Sequence, residues 1–410
     1  MKIKISFVGL GKLGLPLATN LAKKRFLVEG IDLNQKTIKT LQRGNSPWTE
    51  TDLQSNIDLA EDNITYTTKY DNVHKSDVSI ILVNTPTNKK DGSFSNIYVE
   101  QSLISLCNNF VENGKKSHHF ILSSTVMPRS IKDTFIPLIE SITGWTLNKE
   151  FGFSYVPDFV AIGKIIYDFE NPDFLLIGSS DSHYADEAER IYLKIVKTIP
   201  QVRKLNLAEA ELSKVALNAY ITTKISFANY LGMLSERIDS TINVDNITDT
   251  IGLDKRIGTK YFKAGGPYGG TCFPRDTWAF EKISEKVGLS SAHMLANEQI
   301  NDDIVTELYT DIIESSPSTI GFIGLGFKPG TSVVTESMAV KLMKRLKNYS
   351  AKIFVHDKLD ETYTNFYKEI GDEEIGKEKQ SEIRAGTFRD LRRFDVRGKM
   401  DRALAVESIT

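Results

Sequence analysis

The sequence is short of cysteine, histidine and excess positive charge, and each shortage excludes a class of protein. Its 410 residues contain two cysteines, too few for a disulfide framework, which suits a reducing cytoplasm. The six histidines are scattered, and the adjacent pair His118 and His119 would point to opposite faces of a strand, so no metal site is predicted. The formal net charge of -2 provides no cation excess for nucleic acid or an anionic membrane, so neither partner is expected.

Long apolar runs are also missing, so no stretch is expected to span a bilayer. The opening MKIKISFVGLGKLGLPLA imitates a signal peptide, but glycines interrupt its apolar run and it leads to a polar segment ending at Asp32. We interpret this opening as folded structure. The length allows two or three domains, each of about 100 to 200 residues with its own core.

The stretch GGPYGGTCFPRD, residues 265–276, places Cys272 in a backbone too rich in glycine for a helix or a strand interior. Arg275 and Asp276 supply a cation and a carboxylate within a few residues of the thiol. A cation near the sulfur favours the thiolate, which is the nucleophilic form. A tight glycine turn with an inert thiol is the other interpretation, and this stretch alone leaves both open.

The start of the chain predicts a dinucleotide-binding βαβ unit. An apolar run at residues 3–8 precedes glycines in GxGxxG spacing, then a helical pattern and a second apolar run at 26–31. Gly9 permits the tight turn, Gly11 lets a pyrophosphate approach the backbone, and Gly14 allows close packing of helix on strand. Asp32, which ends the unit, would accept hydrogen bonds from ribose hydroxyls and repel a 2′-phosphate, and this favours NAD over NADP. The predicted cofactor residues are Gly9, Leu10, Gly11, Lys12, Leu13, Gly14 and Asp32.

Strand and helix patterns continue to alternate as far as about residue 200, which predicts an α/β fold with a parallel, doubly wound sheet. Predicted strands cover residues 78–84, 119–123, 153–156 and 174–178, and a predicted helix covers 185–197. Thr85, Thr125 and Asp158 follow strand ends, where such sheets bind their ligands. Cys107 lies in an apolar helical pattern and is expected to pack in the core.

One long helix is predicted over residues 207–237, and it is apolar around most of its circumference. Lys214 and Asn218 are one turn apart and share a face. The lysine is compatible with snorkelling to solvent or with a cation directed into an active site. A broad apolar helix between two domains also suits the interface of a homodimer.

A second βαβ-like unit begins near residue 319, with the glycine turn GLGFKPGT at 324–331, a helix at 337–348 and a strand at 352–356. We therefore predict two Rossmann-like domains joined by the long helix. The predicted boundaries are 1–200 for the NAD-binding domain, 201–305 for a central helical domain, and 306–410 for the second Rossmann-like domain. Beyond about Lys358 the sequence is rich in charge, so we expect this segment to be wholly or partly poorly ordered and the domain to be incomplete.

These motifs together resemble the UDP-glucose/GDP-mannose dehydrogenase family over roughly residues 1–357. The matching motifs are GLGKLGLP at 9–16, NTP at 84–86, SSTVMP at 123–128, VPDF at 156–159, Lys214 with Asn218, KRIG at 255–258, GGTCFPRD at 269–276 and GFKPGT at 326–331. The resemblance implies a four-electron oxidation of a sugar C6 hydroxyl to a carboxylate with two NAD, through a thiohemiacetal and a thioester on Cys272.

The resemblance also implies roles for particular residues. The implied catalytic residues are Cys272, Lys214, Asn218, Asp276, Asp158 and Thr125. The implied cofactor residues beyond the first turn are Thr85, Pro86, Thr125 and Arg275. The implied substrate residues are Asp158, Phe159, Lys214, Asn218, Arg256, Lys263, Tyr268, Gly269, Phe327 and Lys328.

Four departures from the family pattern leave alternatives open. Asp158 stands where glutamate is common, Ile162 replaces a second acid, Thr335 replaces an arginine, and the tail lacks the expected strands. UDP-glucose is the leading substrate, followed by UDP-N-acetylmannosamine, UDP-N-acetylglucosamine or GDP-mannose. A catalytically impaired nucleotide-binding relative also remains open. A two-electron hydroxyacid dehydrogenase would share the glycine turn and the helix lysine, but it needs no cysteine.

Overall fold

The structure, a computed structural model, describes residues 2–88, 91–371 and 384–385. It divides into two compact units, Met1–Val215 and Ala216–Thr410. The boundary between them falls inside the long helix that the sequence predicts. None of the helices in the described ranges is both long and apolar enough to cross a membrane.

The first unit is built on an eight-stranded sheet. Its strands are β1 (Lys4–Val8), β2 (Leu27–Ile31), β3 (Ile64–Thr67), β4 (Val78–Ile81), β5 (His118–Leu122), β6 (Phe151–Tyr155), β7 (Phe174–Ser179) and β8 (Gln201–Asn206). Their order is β3-β2-β1-β4-β5-β6-β7-β8. The first six strands are parallel, whereas β7 pairs antiparallel with β6 and parallel with β8. The prediction of a parallel sheet is therefore wrong from β7 onward.

Helices of the first unit cover both faces of this sheet, which confirms the doubly wound fold class. They are α1 (Gly14–Lys23), α2 (Gln35–Leu41), α3 (Leu53–Ala60), α4 (Ile97–Glu112), α5 (Ile136–Thr143), α6 (Ile165–Glu170) and α7 (Ser182–Tyr192). Successive residues of β5 enter different apolar clusters, since Ile121 packs in one and Phe120 and Leu122 pack in the other. Helix α7 begins and ends earlier than the predicted 185–197. Cys107 is fully buried among apolar side chains of α4, as predicted.

The adjacent histidines of β5 are both buried and have separate partners. His118 shares a hydrogen bond of 2.7 Å with Ser79 Oγ. His119 lies 2.8 Å from Glu187 and 2.9 Å from Ser154 Oγ. Burial is the main factor that lowers the pKa of both rings, so they are neutral core residues near pH 7.

The second unit combines long helices with a small parallel sheet. The long helix is α8 (Leu207–Ile238), and it is followed by α9 (Val244–Gly252), α10 (Phe273–Lys286), α11 (Ala292–Glu314), α12 (Met338–Arg345) and α13 (Asp360–Ile370). The strands are β9 (Thr319–Ile323), β10 (Lys352–His356) and β11 (Arg384–Ala385), in the order β11-β10-β9. The long helix matches its predicted bounds within one residue, and the second βαβ pattern is confirmed by parallel β9 and β10.

Helix α13 overturns part of the prediction for the C-terminal segment. Its apolar face is narrow but regular, because Thr362, Phe366 and Ile370 follow one another at four-residue spacing and are all fully buried. The segment beyond Lys358 is therefore not wholly poorly ordered, because Asp360–Ile370 forms a helix. Residues 372–383 and 386–410, to which the same prediction applied, lie outside the described residues.

Candidate active site

The glycine turn after β1 is shaped by two close backbone approaches. Gly9 has a φ of +99°, and a Cβ there would lie 2.2 Å from the carbonyl oxygen of Leu82. A Cβ on Gly14 would lie 2.0 Å from the carbonyl oxygen of Gly9. A Cβ on Gly11, by contrast, would meet no atom of the described residues within 4 Å. Gly9 and Gly14 are thus required by the fold, while Gly11 leaves space for a ligand.

This turn fits the phosphates and ribose of a dinucleotide. Helix α1 has no side-chain N-cap and no acidic residue in its first turn, so within the described chain its N-terminal amides and dipole remain suited to an anion. Asp32 accepts the Leu10 amide on Oδ2 at 2.9 Å and the Asn34 amide on Oδ1 at 2.8 Å. A carboxylate oxygen can accept more than one hydrogen bond, so these two bonds leave capacity for ribose hydroxyls.

The turn after β9 repeats the same hydrogen bonds in the second unit. Gly324 has a φ of +85°, and its amide donates to His356 across 2.8 Å, as the amide of Gly9 donates to Ile31 across 2.8 Å. Asp357 accepts the Leu325 amide at 2.9 Å and the Leu359 amide at 3.0 Å. The aspartate that ends the second strand therefore supports the turn in both units.

The predicted residues after β4 and β5 are brought together at the carboxyl edge of the first sheet. The hydroxyl of buried Thr85 donates to the carbonyl oxygen of Thr125 at 2.7 Å. The neighbouring Ser124 hydroxyl both accepts from the amide of Val83 at 2.9 Å and donates to its carbonyl at 2.7 Å. Pro86 lies next to this contact and is exposed.

Asp158, Phe159 and Lys214 lie together in the first unit, where Lys214 is buried and the other two are partly buried. Lys214 is 8% exposed, so the alternative that it snorkels to solvent does not hold. Its ammonium donates to the backbone carbonyl of Asp158 and lies 4.5 Å from the centre of the Phe159 ring. The Asp158 residue retains some surface, but its Oδ2 is buried without a partner among the described residues. Burial raises the pKa of Asp158 to about 7, although the Lys214 charge lowers it.

Glu211 also belongs to this region, and the sequence analysis missed it. This fully buried carboxylate accepts the amide of Arg129 at 2.6 Å and that of Ile131 at 3.0 Å. It ties α8, three residues before Lys214, to the segment that follows Thr125. Burial raises the pKa of Glu211 to about 7, and the two amide bonds oppose that rise. The sequence did offer a signal for Glu211, since an acidic residue on the apolar side of a long helix indicates a buried carboxylate that needs hydrogen-bond partners.

Cys272 is exposed and occupies the N-cap position of α10, with Pro274 in the first turn. The helix dipole favours negative charge at this position. Thr271 Oγ1 lies 3.6 Å from the Cys272 sulfur. Arg275 is turned to another partner, since its guanidinium donates twice to Asp276 Oδ1, at 3.0 and 2.9 Å. The expectation that Arg275 acts as the cation beside the sulfur is therefore not supported by this pairing.

Asp276 and Asn218 are in direct contact in the second unit. The Asn218 amide donates to Asp276 Oδ2 at 2.6 Å, and Asp276 is fully buried. The amide of Asp276 also donates to the carbonyl oxygen of Cys272 at 2.8 Å, in the first turn of α10. The structure thus places this carboxylate one helical turn from the thiol-bearing residue.

The predicted substrate residues of the second unit divide into two groups. Arg256 and Lys263 are both exposed and paired with local acids: Arg256 with Asp254 at 2.6 Å, and Lys263 with Asp245 at 2.9 Å and Asp249 at 2.8 Å. Arg256 is thus paired within its own turn, whereas Lys263 is paired with two acids of α9.

The second group lies where the loop before Cys272 packs against the loop after β9. A Cβ on Gly269 would lie 2.3 Å from the carbonyl oxygen of Glu336, and one on Gly270 would lie 2.8 Å from the Phe327 ring. The Gly270 amide donates to Thr335 at 2.9 Å. Lys328 lies 5.6 Å from the centre of the Phe327 ring. Tyr268, in the same loop, is buried, and its hydroxyl donates to Glu298.

The parallel order of the first six strands and the turn that follows β1 define a Rossmann-type dinucleotide-binding protein. Residues 3–196 match the NAD binding domain of the UDP-glucose/GDP-mannose dehydrogenase family, and residues 208–303 match its central domain. The chain belongs to the UDP-glucose/GDP-mannose dehydrogenase family, and its cofactor is NAD.

Characterised relatives and solved structures agree with this assignment. The UDP-glucose 6-dehydrogenase TuaD of Bacillus subtilis is 31% identical over 366 residues, which cover 86% of this chain and 76% of that protein. The GDP-mannose 6-dehydrogenase of Pseudomonas putida is 28% identical over 362 residues, covering 86% of this chain and 80% of that protein. The structure of a UDP-glucose dehydrogenase from Pyrobaculum islandicum has a TM-score of 0.83 and 29% identity, covering 91% of this chain and 85% of that one.

We expect Gly11→Ala to separate cofactor binding from folding. Its new methyl group meets open space, so the free energy of unfolding should stay within about 1 kcal/mol of wild type, while NAD affinity should fall at least about tenfold. Urea unfolding and a fluorescence titration with NAD would measure the two quantities. The control is Gly14→Ala, which should lose stability first because of the clash with Gly9. Unchanged NAD affinity in Gly11→Ala would show that the cofactor does not approach this turn.

Asp158→Asn tests the buried carboxyl. Because the pKa of this carboxyl is raised in the folded protein, the unfolded chain ionises at a lower pH than the folded protein does, and this favours unfolding. The resulting loss of folding stability is absent below about pH 4 and complete above about pH 7. The variant cannot ionise, so it should match wild type near pH 4 and be more stable at pH 8, by up to about 4 kcal/mol. Denaturant unfolding at several pH values measures this difference.

The matched control is Asp62→Asn, which removes an exposed carboxyl from the same unit and should leave the pH dependence of stability unchanged. A constant stability difference between Asp158→Asn and wild type across this pH range would contradict the raised pKa.

Proposed function

We propose that the chain oxidises the C6 hydroxyl of a nucleotide sugar to a carboxylate, with UDP-glucose as the leading substrate. The observation that carries the proposal is the exposed thiol of Cys272 at the N-terminus of α10, one turn before the hydrogen-bonded pair Asp276 and Asn218. A two-electron alcohol dehydrogenase needs no such thiol, whereas oxidation of an aldehyde to a carboxylate proceeds readily through a thioester.

The first oxidation needs a base for the alcohol proton. Asp276 holds a water molecule for this purpose in the proposed reaction, assisted by the ammonium of Lys214. NAD, held at the glycine turn after β1, would supply the hydride acceptor, and two molecules of NAD would be needed for each sugar. Arg275 and Asn218 both donate hydrogen bonds to the Asp276 carboxylate and keep it in one orientation.

The second oxidation uses the thiol. The Cys272 thiolate adds to the aldehyde carbon, and the resulting thiohemiacetal becomes a thioester once the second hydride has left. Water then cleaves the carbon–sulfur bond, which releases the carboxylate and regenerates the thiol. Lys214 and Asn218 stabilise the oxyanions of both additions. Asp158, with a pKa of about 7, is suited to accept and return a proton during hydrolysis near neutral pH.

The remaining predicted residues complete the proposal. Thr85, Pro86 and Thr125 line the cofactor side, and Tyr268, Gly269, Phe327 and Lys328 contact the nucleotide sugar, with Arg256 reaching the substrate of a second copy. Relatives that oxidise GDP-mannose are about as similar as those that oxidise UDP-glucose, so the base and the sugar need a direct assay. A free, reactive thiol suits the reducing cytoplasm, where we place the protein.

The reaction predicts a product ratio and a nucleophile. We expect two NADH for each UDP-glucose consumed, measured by absorbance against sugar nucleotide quantified by chromatography. Cys272→Ser should lose at least about a thousandfold in turnover or trap a slowly hydrolysed ester, because serine is the weaker nucleophile at neutral pH.

Cys107→Ser is the control, and it should keep wild-type turnover. Cys107 is fully buried, and burial raises its pKa to about 12, so it is not a nucleophile near pH 7. A ratio of one NADH for each sugar would support a two-electron dehydrogenase. No NADH with any of the four candidate sugar nucleotides would leave the impaired nucleotide-binding relative.

We also propose a homodimer formed through α8. The part of this helix in the second unit exposes several large apolar side chains on its surface: Tyr220 (62%), Phe227 (51%), Tyr230 (48%), Leu234 (39%) and Ile238 (67%). Their positions repeat at helical spacing and form one stripe, and such a contiguous apolar face favours association over exposure. A second copy of the same helix is the complementary surface.

Tyr220→Glu should shift the dimer toward monomer, because it places a charge within the apolar stripe. Sedimentation equilibrium should show the dimer dissociation constant rise at least about tenfold. The control is Tyr167→Glu in α6, where the tyrosine is similarly exposed, at 60%, but lies outside α8. Equal dissociation constants for the two variants would argue against α8 as the interface.

A further inference from the structure

The loop that leads to Cys272 has an irregular backbone, and its polar groups must find partners outside regular secondary structure. It crosses residues 263–272, between α9 and α10, and contains four glycines in the stretch KAGGPYGGTC. Such a glycine-rich chain has a large conformational entropy when it is not held, so a fixed path needs specific contacts. Two buried asparagine side chains supply them.

Asn229, on α8, holds the first part of the loop. The residue is 3% exposed, its Oδ1 accepts the Gly265 amide at 2.7 Å, and its Nδ2 donates to the carbonyl oxygen of Gly266 at 3.2 Å. The side-chain amide therefore offers the loop the same donor and acceptor that a neighbouring peptide group would offer in a sheet.

Asn301, on α11, does the same three residues further along. It is 2% exposed, its Oδ1 accepts the Tyr268 amide at 2.7 Å, and its Nδ2 donates to the Tyr268 carbonyl at 3.1 Å. One turn earlier on α11, Glu298 accepts the hydroxyl of Tyr268. The backbone and the side chain of Tyr268 are thus bound to the same helix.

We propose that Asn229 and Asn301 are positioning residues that fix the path of the loop and thereby the place of the Cys272 thiol. Between Tyr268 and the thiol the chain has little freedom, since Gly269 and Gly270 already press against Glu336 and Phe327. Loss of the Asn229 clamp removes the partners of partly buried backbone groups at Gly265 and Gly266, and loss of the Asn301 clamp removes those of the buried Tyr268 backbone, so the chain before the nucleophile is held less firmly. The consequence for catalysis depends on the proposed thiol chemistry, whereas the consequence for the loop does not.

Amide hydrogen exchange, resolved to single residues by NMR or by fragmentation mass spectrometry, gives a crossed test. In Asn229→Ala the Gly265 amide should exchange at least about tenfold faster while the Tyr268 amide changes less, and in Asn301→Ala the order should reverse. Asn229→Asp and Asn301→Asp each keep an acceptor oxygen of the same size, so each should restore most of the protection lost in its alanine variant.

The matched control is Asn297→Ala. Asn297 is equally buried, at 4% exposed, and lies on the same helix as Asn301, but its amide donates to Thr223 Oγ1 at 2.9 Å. In Asn297→Ala the amides of Gly265 and Tyr268 should therefore exchange at the wild-type rate. If the alanine variants do not fold, Asn229→Ser and Asn301→Ser replace them, because serine is also too short to reach the loop, and the same crossed pattern of exchange is expected. Wild-type exchange at both amides in folded Asn229→Ala and Asn301→Ala would overturn the proposal.

Alkylation of the thiol by iodoacetamide gives the second readout, and it needs neither substrate nor NAD. A released loop changes the surroundings of the exposed sulfur, so the labelling rate of Cys272 should differ from that of wild type by at least about threefold. Mass spectrometry distinguishes labelling of Cys272 from labelling of the buried Cys107. If sugar oxidation is absent but the exchange and labelling effects occur, the positioning role stands and the proposed function fails. If the enzyme is active, kcat should fall in the clamp variants while KM for NAD stays unchanged.

Discussion

A stripe of buried polar side chains along α8 is the constraint on which the local structure of both units depends. Its members are Glu211, Lys214, Asn218, Thr222, Ser226 and Asn229, all 8% exposed or less. A buried polar group is costly unless it is hydrogen-bonded, so each of these side chains has to find a partner. In the first unit the partners are backbone groups near Thr125 and at Asp158; in the second they are groups at the start of α10, on α11 and in the thiol loop. The helix therefore determines where several segments without regular structure are held.

Much of the fold could be predicted because its signals are local. The glycine turn, the buried strands β1, β4 and β5 and the long helix follow from apolar runs, glycine spacing and helical periodicity, and the structure confirms them. The two strands of the eight-stranded sheet that the sequence analysis missed, β3 and β8, are its edges, where exposed residues such as Arg203 and Lys204 interrupt the apolar pattern. The antiparallel turn into β7 was missed for another reason: strand direction depends on the path of the connection, and residue periodicity carries no information about it.

In the candidate site, the residues with the required chemistry could be predicted from the sequence, but their hydrogen-bond partners could not. Cys272, Lys214, Asn218 and Asp276 could be selected because their chemistry is unusual for their surroundings. Their partners could not, because the hydrogen bond from the Gly265 amide to Asn229, or from Lys214 to the Asp158 carbonyl, joins residues distant in sequence, and one of its two groups is a backbone group that does not depend on residue type. Arg275 shows the difference, since proximity in sequence suggested the sulfur as its neighbour while its guanidinium binds the adjacent carboxylate.

The repeated turn changes how an acid at the end of the second strand should be interpreted. In both units an aspartate binds the amide after the first glycine and a second amide two residues beyond itself. Asp357 does so in a turn that lacks the GxGxxG spacing, so these bonds belong to the backbone geometry and not to the cofactor. Redesign of Asp32 to accept NADP would accordingly remove a structural support together with a charge. A successful redesign would have to rebuild the turn first, for example with a side chain that still accepts the Leu10 amide.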